Sequence, residues 1–469
     1  KMSPCCLLAL LALIPLTLAA NPGVKVKLTD KGIEYGKQIG MASLQQKLKT
    51  IKVPDLSGTE KVPHVGKVKY SLTGMTIVNL GLPKSALVLV PGTGVSLAIT
   101  NAFINLHGNW RVRYFRFMQD RGSFDLAVNG LTITANIAIK SDETGRPMVS
   151  TVNCVANVGR ASIKFHGGAS WLYNLFKSYI DKALRSALQK QICPLVADAI
   201  TDMNQHLKTF NVLAKVDQYA EIEYSMGTSP TISKSSMEFS LKGEFYNIVK
   251  HQEPPFSPTP FSLPPQGNNM LYIGVSSFTP NSAGFVYNNA GALSLYVTDD
   301  MVINILLRIK ERLCVLFQIA KRFPGMMMKL LVKTVKEPTI SLEPNNVTVQ
   351  ASGTVTAYAI QPNTTLSPLF VLNMEGSVSA QLNVTGVKLA GAITLNKIEM
   401  TLGTSYVGQF QVRIIFSDAL FPCLFIFIVS ALIEKGFPLP SIGKMNLVNT
   451  QLQVLKDYML IGTDVQFTG

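Results

Sequence analysis

Long runs that alternate apolar with polar residues constrain this chain more than any other feature. Val95, Leu97 and Ile99 open one run, in VSLAITNAFINLHGNW, and Phe124, Leu126 and Val128 open another, in FDLAVNGLTITANIAI. A two-residue period belongs to a strand whose two faces differ. Residues 62–160 read throughout as such strands. In the second run the apolar face shifts across Asn129-Gly130, and Leu131, Ile133, Ala135, Ile137 and Ile139 carry it on. Asn-Gly usually marks a tight hairpin, and a bulge shifts the face equally well. The pattern returns in NNVTVQASGTVTAYAI, in GSVSAQLNVTGVKLAGAITLNKIEMTL and in the closing TQLQVLKDYMLIGTDVQF. Alternation along a whole strand implies wide antiparallel sheets with one dry face.

Helical periods interrupt the strands. Residues 29–54 read as a helix capped by Thr29 or Asp30 and ended by Pro54. Glycines at 32, 36 and 40 weaken it in isolation and suit close packing on a sheet or against lipid. Residues 169–203 form the clearest helix. Its apolar stripe runs through Leu172, Leu175, Ile180, Leu184, Leu188 and Ile192, and Pro194 is expected to break or kink it. A further helical zone is expected over 301–336. Six prolines between 254 and 265 mark a stiff, extended connector. The class is therefore α+β. The expected organisation is a signal peptide over 1–20, one domain over 21–250, a linker over 251–269 and a second domain over 270–469.

Residues 2–20, MSPCCLLALLALIPLTLAA, have the length and the small-residue end of a secretory signal cleaved after Ala19 or Ala20. A membrane anchor is the alternative, disfavoured by the short run and by Pro15. Of the remaining cysteines, Cys154, Cys193, Cys314 and Cys423, three pairings are open, and no zinc spacing is present. Sequons at Asn346, Asn363 and Asn383 mark expected glycosylation sites in exposed loops of a secreted chain. Charge is uneven. Residues 21–250 carry 28 Lys and Arg against 16 Asp and Glu, whereas residues 251–469 carry 14 against 12. An anionic partner is therefore expected on the N-terminal half.

The stretch GNWRVRYFRFMQDRGSFDL, Gly108 to Leu126, focuses that expectation. Trp110, Val112 and Tyr114 alternate with Arg111 and Arg113, so one strand face is all arginine. Phe115, Arg116 and Phe117 then arrive out of phase, as at a strand end or bulge. The chain has no HExxH, P-loop, GxSxG or helix-opening GxGxxG, and its five histidines are scattered singly, so an enzyme is not expected. Secretion and high apolar content argue against nucleic acid. A phosphorylated lipid suits both the arginines, which match phosphate oxygens, and the apolar interior.

The chain resembles the family of bactericidal/permeability-increasing and lipopolysaccharide-binding proteins. The matching stretches are NPGVKVKLTDKGIEY, QQKLKTIKVPD, the Cys154 and Cys193 pair around the long helix, GEFY before the proline connector, AGFVY, KRFP, EKGFPLP and YMLIGTDVQF. The resemblance covers nearly all of the mature chain. It implies an elongated boomerang of two similar domains, each a twisted, barrel-like antiparallel sheet packed with long helices, joined by a central sheet. It also implies an apolar phospholipid pocket in each domain, for example for phosphatidylcholine, and a Cys154–Cys193 disulfide. The family's lipopolysaccharide contact falls on Lys61, Lys67, Arg111, Arg113 and Arg116, with Lys69 and Arg121 beside it and their facing open. This chain departs from the family in using arginine around Trp110 and in two segments, 302–317 and 414–433.

The expectation is thus a secreted, non-enzymatic protein of innate immunity that needs no metal or cofactor. Its expected partners are bacterial lipopolysaccharide, phospholipids and the bacterial outer membrane surface, with a host receptor as a further partner and release through granules as a further route. A plasma phospholipid or neutral-lipid transfer protein of the same fold is the alternative. A heparin- or nucleic-acid-binding adhesion protein is a third reading.

Overall fold

A computed structural model of the chain describes residues 21–62, 64–115, 118–168, 177–265, 267–298, 325–409 and 436–468, with 323, 425–426, 429–430 and 433. The expected signal peptide, Arg116, Cys314 and Cys423 lie outside the described residues, as do 302–317 and most of 414–433.

The first described strand, β1 (Val24–Thr29), sits in the middle of the molecule rather than at an edge. It pairs antiparallel on one side with Ser236–Leu241 and on the other with Leu271–Ser276. Leu271–Ser276 in turn pairs with Tyr458–Phe467, near the far end of the chain. This six-stranded central sheet, completed by Thr231–Ile232 and Met445–Leu455, joins the two halves as expected. The proline connector is fastened along it. Lys27 donates to the carbonyls of Pro264 and Leu263 at 2.9 and 3.3 Å, and the Phe261 ring lies 5.1 Å from Tyr458.

Helix α1 (Asp30–Leu48) follows β1 directly. The Thr29 hydroxyl accepts from the Gly32 amide, and Asp30 lies in the first turn, where the helix dipole favours it. Gly32 is needed for contact, since a Cβ there would collide with the Met270 carbonyl. Gly36 and Gly40 face open space among the described residues. Lys31 donates to Asp464 at 2.9 Å and holds that carboxyl below the usual carboxylate range.

The N-terminal sheet contains β2 (Leu56–Val62), β3 (Gly66–Gly81), β4 (Lys84–Val90), β5 (Gly94–Tyr114), β6 (Met118–Ser141), β7 (Pro147–Asn157) and β8 (Arg160–His166). Its order is β2-β3-β5-β6-β7, with β4 on β5 and β8 on β6. β6 runs straight through Asn129-Gly130, so that pair is a bulge and not a hairpin. Gly130 takes φ +68° and the β5 register slips beside it, around Asn101 and Ala102.

Helix α2 (Lys177–Leu207) crosses β7 and closes the dry face. Ile180, Leu184, Leu188, Ile192 and Val196 are fully buried at four-residue spacing. Of the two expected outcomes, a break or a kink, the break does not occur: the helix continues through Pro194. Burying each of these side chains contributes roughly 1.5–3 kcal/mol, which together outweighs the roughly 3 kcal/mol cost of an interior proline. Cys193, the preceding residue, is also tied to Cys154 on β7 by the expected disulfide.

The C-terminal half repeats the theme. A seven-stranded sheet includes Asn346–Ile360, Leu366–Thr385 and Lys388–Ser405, paired in sequence as a meander. Neither large sheet closes into a barrel; among the described residues each is an open path of strands. Part of the helical zone expected over 301–336 is a strand, Met328–Thr334, because Met328, Leu330, Val332 and Thr334 alternate inward with a period of two. Helix α3 (Phe278–Asn289) was not expected. Its one local signal is Pro280 in the first turn, and its almost wholly buried surface hides any amphipathic stripe.

The Cys154–Cys193 bond closes a loop of 39 residues. Replacing both cysteines by alanine should lower the free energy of unfolding by about 4 kcal/mol on loop-entropy grounds, as measured by urea denaturation of the two proteins side by side.

Candidate functional site

The β2–β3 and β5–β6 hairpins end at the same tip of the N-terminal sheet. β5 stops at Tyr114, and Phe115 turns the chain with φ +44°. The break in alternation is therefore a strand end. Trp110 and Val112 are 2% and 0% exposed, and Tyr114 is half-buried, as their alternation requires. The Trp110 indole donates to the His166 carbonyl at 3.1 Å and meets Phe165 edge-on.

The intervening residues face solvent. In an antiparallel sheet, directly opposed residues point to the same face. Lys61 lies opposite Lys67, Lys69 opposite Arg113, and Arg111 opposite Arg121. All six are exposed. The face thus carries three like-charge cross-strand pairs in successive rows, on four adjacent strands. None of the six forms an ion pair among the described residues. Like charges directly opposite destabilise a sheet, so this face holds positive charge at a cost to its own folding. A multivalent anion on it would remove that repulsion and gain charge-assisted hydrogen bonds.

Four of the five cationic residues expected at the site, Lys61, Lys67, Arg111 and Arg113, share this face. Arg116 lies outside the described residues. Lys69 and Arg121, whose facing the sequence leaves open, lie exposed on this same face. Exposed Phe115 and Met118 lie at the hairpin end and place apolar surface next to the charge.

Farther down the same face lies a group that sequence spacing hid. His107 Nδ1 is 2.8 Å from Asp125 Oδ1, and His166 Nε2 is 2.9 Å from Asp125 Oδ2. The hydrogen bond from His107, then that from His166, hold the Asp125 carboxyl below its ordinary range. Positions 107, 125 and 166 meet only through the β5–β6–β8 pairing, which no local pattern signals. Among the described residues no cluster of His, Cys, Asp or Glu could hold a metal ion.

A second feature lies in the C-terminal half. A narrow apolar slot runs between α3, through Ala283, Gly284 and Tyr287, and the sheet residues Val349, Ala380 and Leu389. A Cβ on Gly284 would press on the Pro338 carbonyl at 2.7 Å, so glycine lets the helix sit close to the segment beside the slot. Burial and a hydrogen bond to Asp217 push the Tyr287 hydroxyl upward.

Two family models match the chain. The N-terminal domain of the LBP / BPI / CETP family covers residues 32–209, and the C-terminal domain covers 214–467. The chain belongs to the LBP / BPI / CETP family. A bactericidal permeability-increasing protein of Sebastes schlegelii is 70% identical over 472 residues, 99% of each chain. The lipopolysaccharide-binding protein of Homo sapiens is 32% identical over 476 residues, 99% of this chain and 98% of that one. A crystal structure of lipopolysaccharide binding protein aligns with TM-score 0.65 at 31% identity, over 96% of this chain and all of that one.

Within this member of the LBP / BPI / CETP family, Gly122 makes the tip's packing possible. A Cβ there would run into the His166 carbonyl oxygen and sit 2.8 Å from the Trp110 ring. Gly122→Ala should cost roughly 1–3 kcal/mol through overpacking, as read from denaturation followed by tryptophan fluorescence.

Proposed function

We propose that this chain is a secreted, non-enzymatic protein of innate immunity that binds the lipopolysaccharide of Gram-negative bacteria. The observation that carries the reading is the exposed face of Lys61, Lys67, Lys69, Arg111, Arg113 and Arg121, opposed cation to cation without carboxylate partners among the described residues. Phosphate groups of the glycolipid neutralise the three pairs, and Arg116, the residue after Phe115 in the sequence, is a further proposed contact. Phe115 and Met118 lie against acyl chains at the tip. Relatives named for bactericidal permeability increase and for lipopolysaccharide binding support this reading. The bacterial outer membrane surface is the target, nucleic acid is not, and no metal takes part. Handing the ligand to a host receptor and release through granules extend the same reading.

The apolar slot beside α3 favours a second component, in which a phospholipid such as phosphatidylcholine places an acyl chain among Val349, Ala380 and Leu389. That slot is also what a phospholipid or neutral-lipid transfer protein would need. Asn346, Asn363 and Asn383 are all exposed, as carriers of N-linked glycan must be. Only Asn363 lies in a loop; Asn346 and Asn383 lie in strands, contrary to expectation. Among the described residues no helix is long and apolar enough to cross a membrane.

Arg111→Glu, Arg113→Glu and Arg116→Glu together should weaken lipopolysaccharide binding by at least about tenfold, since charge-assisted bonds are worth roughly 1.5–3 kcal/mol each. Binding of the unaltered protein should weaken as salt rises. Unchanged affinity in the triple variant, measured by titration calorimetry, would remove the tip from the account. Ala380→Trp fills the slot and should reduce co-purifying phospholipid, measured by mass spectrometry of lipid extracts, while lipopolysaccharide affinity holds. Rapid lipid exchange between neutral vesicles without preference for lipopolysaccharide would favour the transfer reading.

A further inference from the structure

The His107–Asp125–His166 group lies on the same sheet face as the tip cations. Moving away from the Arg111–Arg121 row, the next row holds Asn109, Ser123 and His166, and the one after holds His107, Asp125 and Lys164. Rows of one face are two residues apart, about 7 Å, so Asp125 lies on the order of 14 Å from the paired arginines. The charged neighbours facing the group are Arg111 and Arg121 toward the tip, Lys164 beside it on β8, and Arg160, two rows farther along β8 opposite Asn129. β3 contributes only Thr76, whose hydroxyl donates to the His107 carbonyl at 3.4 Å. His64 stands in the exposed β2–β3 turn at the far end of the same hairpin system.

Each imidazole has one nitrogen on the carboxylate, and both rings are largely exposed, with side chains 48% and 40% accessible. When neutral, His107 donates from Nδ1 and His166 from Nε2, and the group carries one negative charge. That charge interrupts the cationic face. Imidazole is the side chain that changes charge between about pH 5 and 8. When both rings are protonated, Asp125 keeps its charge, because the same two hydrogen bonds hold its carboxyl low. The group then carries one positive charge, a reversal of two units with little need for backbone movement.

We propose that His107, Asp125 and His166 form an acid-gated extension of the binding face, which recruits anionic lipid headgroups as pH falls. The inference rests on the tip reading above and adds a condition to it. At neutral pH the binding face ends near Arg111 and Arg121. In mildly acidic surroundings it continues through His166, His107 and Lys164, so the protein engages a broader patch of an anionic lipid surface.

The test uses the full-length secreted protein and vesicles of phosphatidylglycerol in phosphatidylcholine, at fixed ionic strength, at pH 7.5 and 5.5. A phosphodiester headgroup keeps its charge over this range, whereas a phosphate monoester titrates near pH 6. A basic charge near an anionic surface is worth roughly 1 kcal/mol, falling off within a Debye length. Affinity should therefore rise on the order of tenfold between the two pH values. His107→Gln with His166→Gln should cut that rise to about threefold or less. Asp125→Asn should bind severalfold more tightly than the unaltered protein already at pH 7.5. A full tenfold rise in the double histidine variant, or no gain at pH 7.5 in Asp125→Asn, overturns the gate. If Arg111→Glu with Arg113→Glu still abolishes binding at pH 7.5 in that case, the tip reading stands without the gate. Binding indifferent to the arginine pair overturns the tip reading and the gate with it.

Discussion

Cross-strand register in the N-terminal sheet is the constraint on which the rest depends. The pairings of Lys61 with Lys67, Lys69 with Arg113 and Arg111 with Arg121 bring like charges together because the same register brings Tyr70 to Val112 and Leu72 to Trp110 on the other face. A slip of one residue would bury the arginines and expose Trp110. The core therefore enforces the charge arrangement: the apolar face cannot pack without opposing the cations. Repulsion on one face is sustained by packing on the other, and an anion relieves it.

The central sheet gives this tip a fixed base. β1 lies between a strand from the N-terminal half and one that pairs with Tyr458–Phe467, so the two ends of the described chain are stitched within one ladder. The connector, pinned by Lys27 and Phe261, adds to this junction and does not swing free of it. Beyond the junction, the C-terminal sheet and α3 enclose an apolar slot. The cationic face and the apolar slot thus lie on separate sheets of one molecule.

Much of this was legible in residues alone. The dry face of β5 and β6 and the apolar stripe of α2 follow directly from periodicity, while the α1 cap is open between Thr29 and Asp30 in the sequence and falls on Thr29 in the structure. Four tip cations followed from resemblance and lie together in the structure. What escaped depends on partners distant in sequence. Pro194 signals a break or a kink, and buried neighbours on both sides rule out the break. Asn129-Gly130 fits a hairpin or a bulge equally, and only the continuous β5 alongside decides for the bulge. α3 is buried nearly all round, so it shows no stripe. The facing of Lys69 and Arg121, and the meeting of His107 and His166 on Asp125, are consequences of register that no single segment encodes.

Packing in this sheet opposes cations on one face, and we propose that a phosphorylated lipid binds them. Site-resolved lysine acetylation, with and without lipopolysaccharide and read by mass spectrometry, tests that claim most directly. Lys61, Lys67 and Lys69 should be protected by the ligand, while exposed Lys336 and Lys456 in the C-terminal half keep their reactivity. Protection confined to the C-terminal half, with the three tip lysines reacting as in the free protein, would contradict the account.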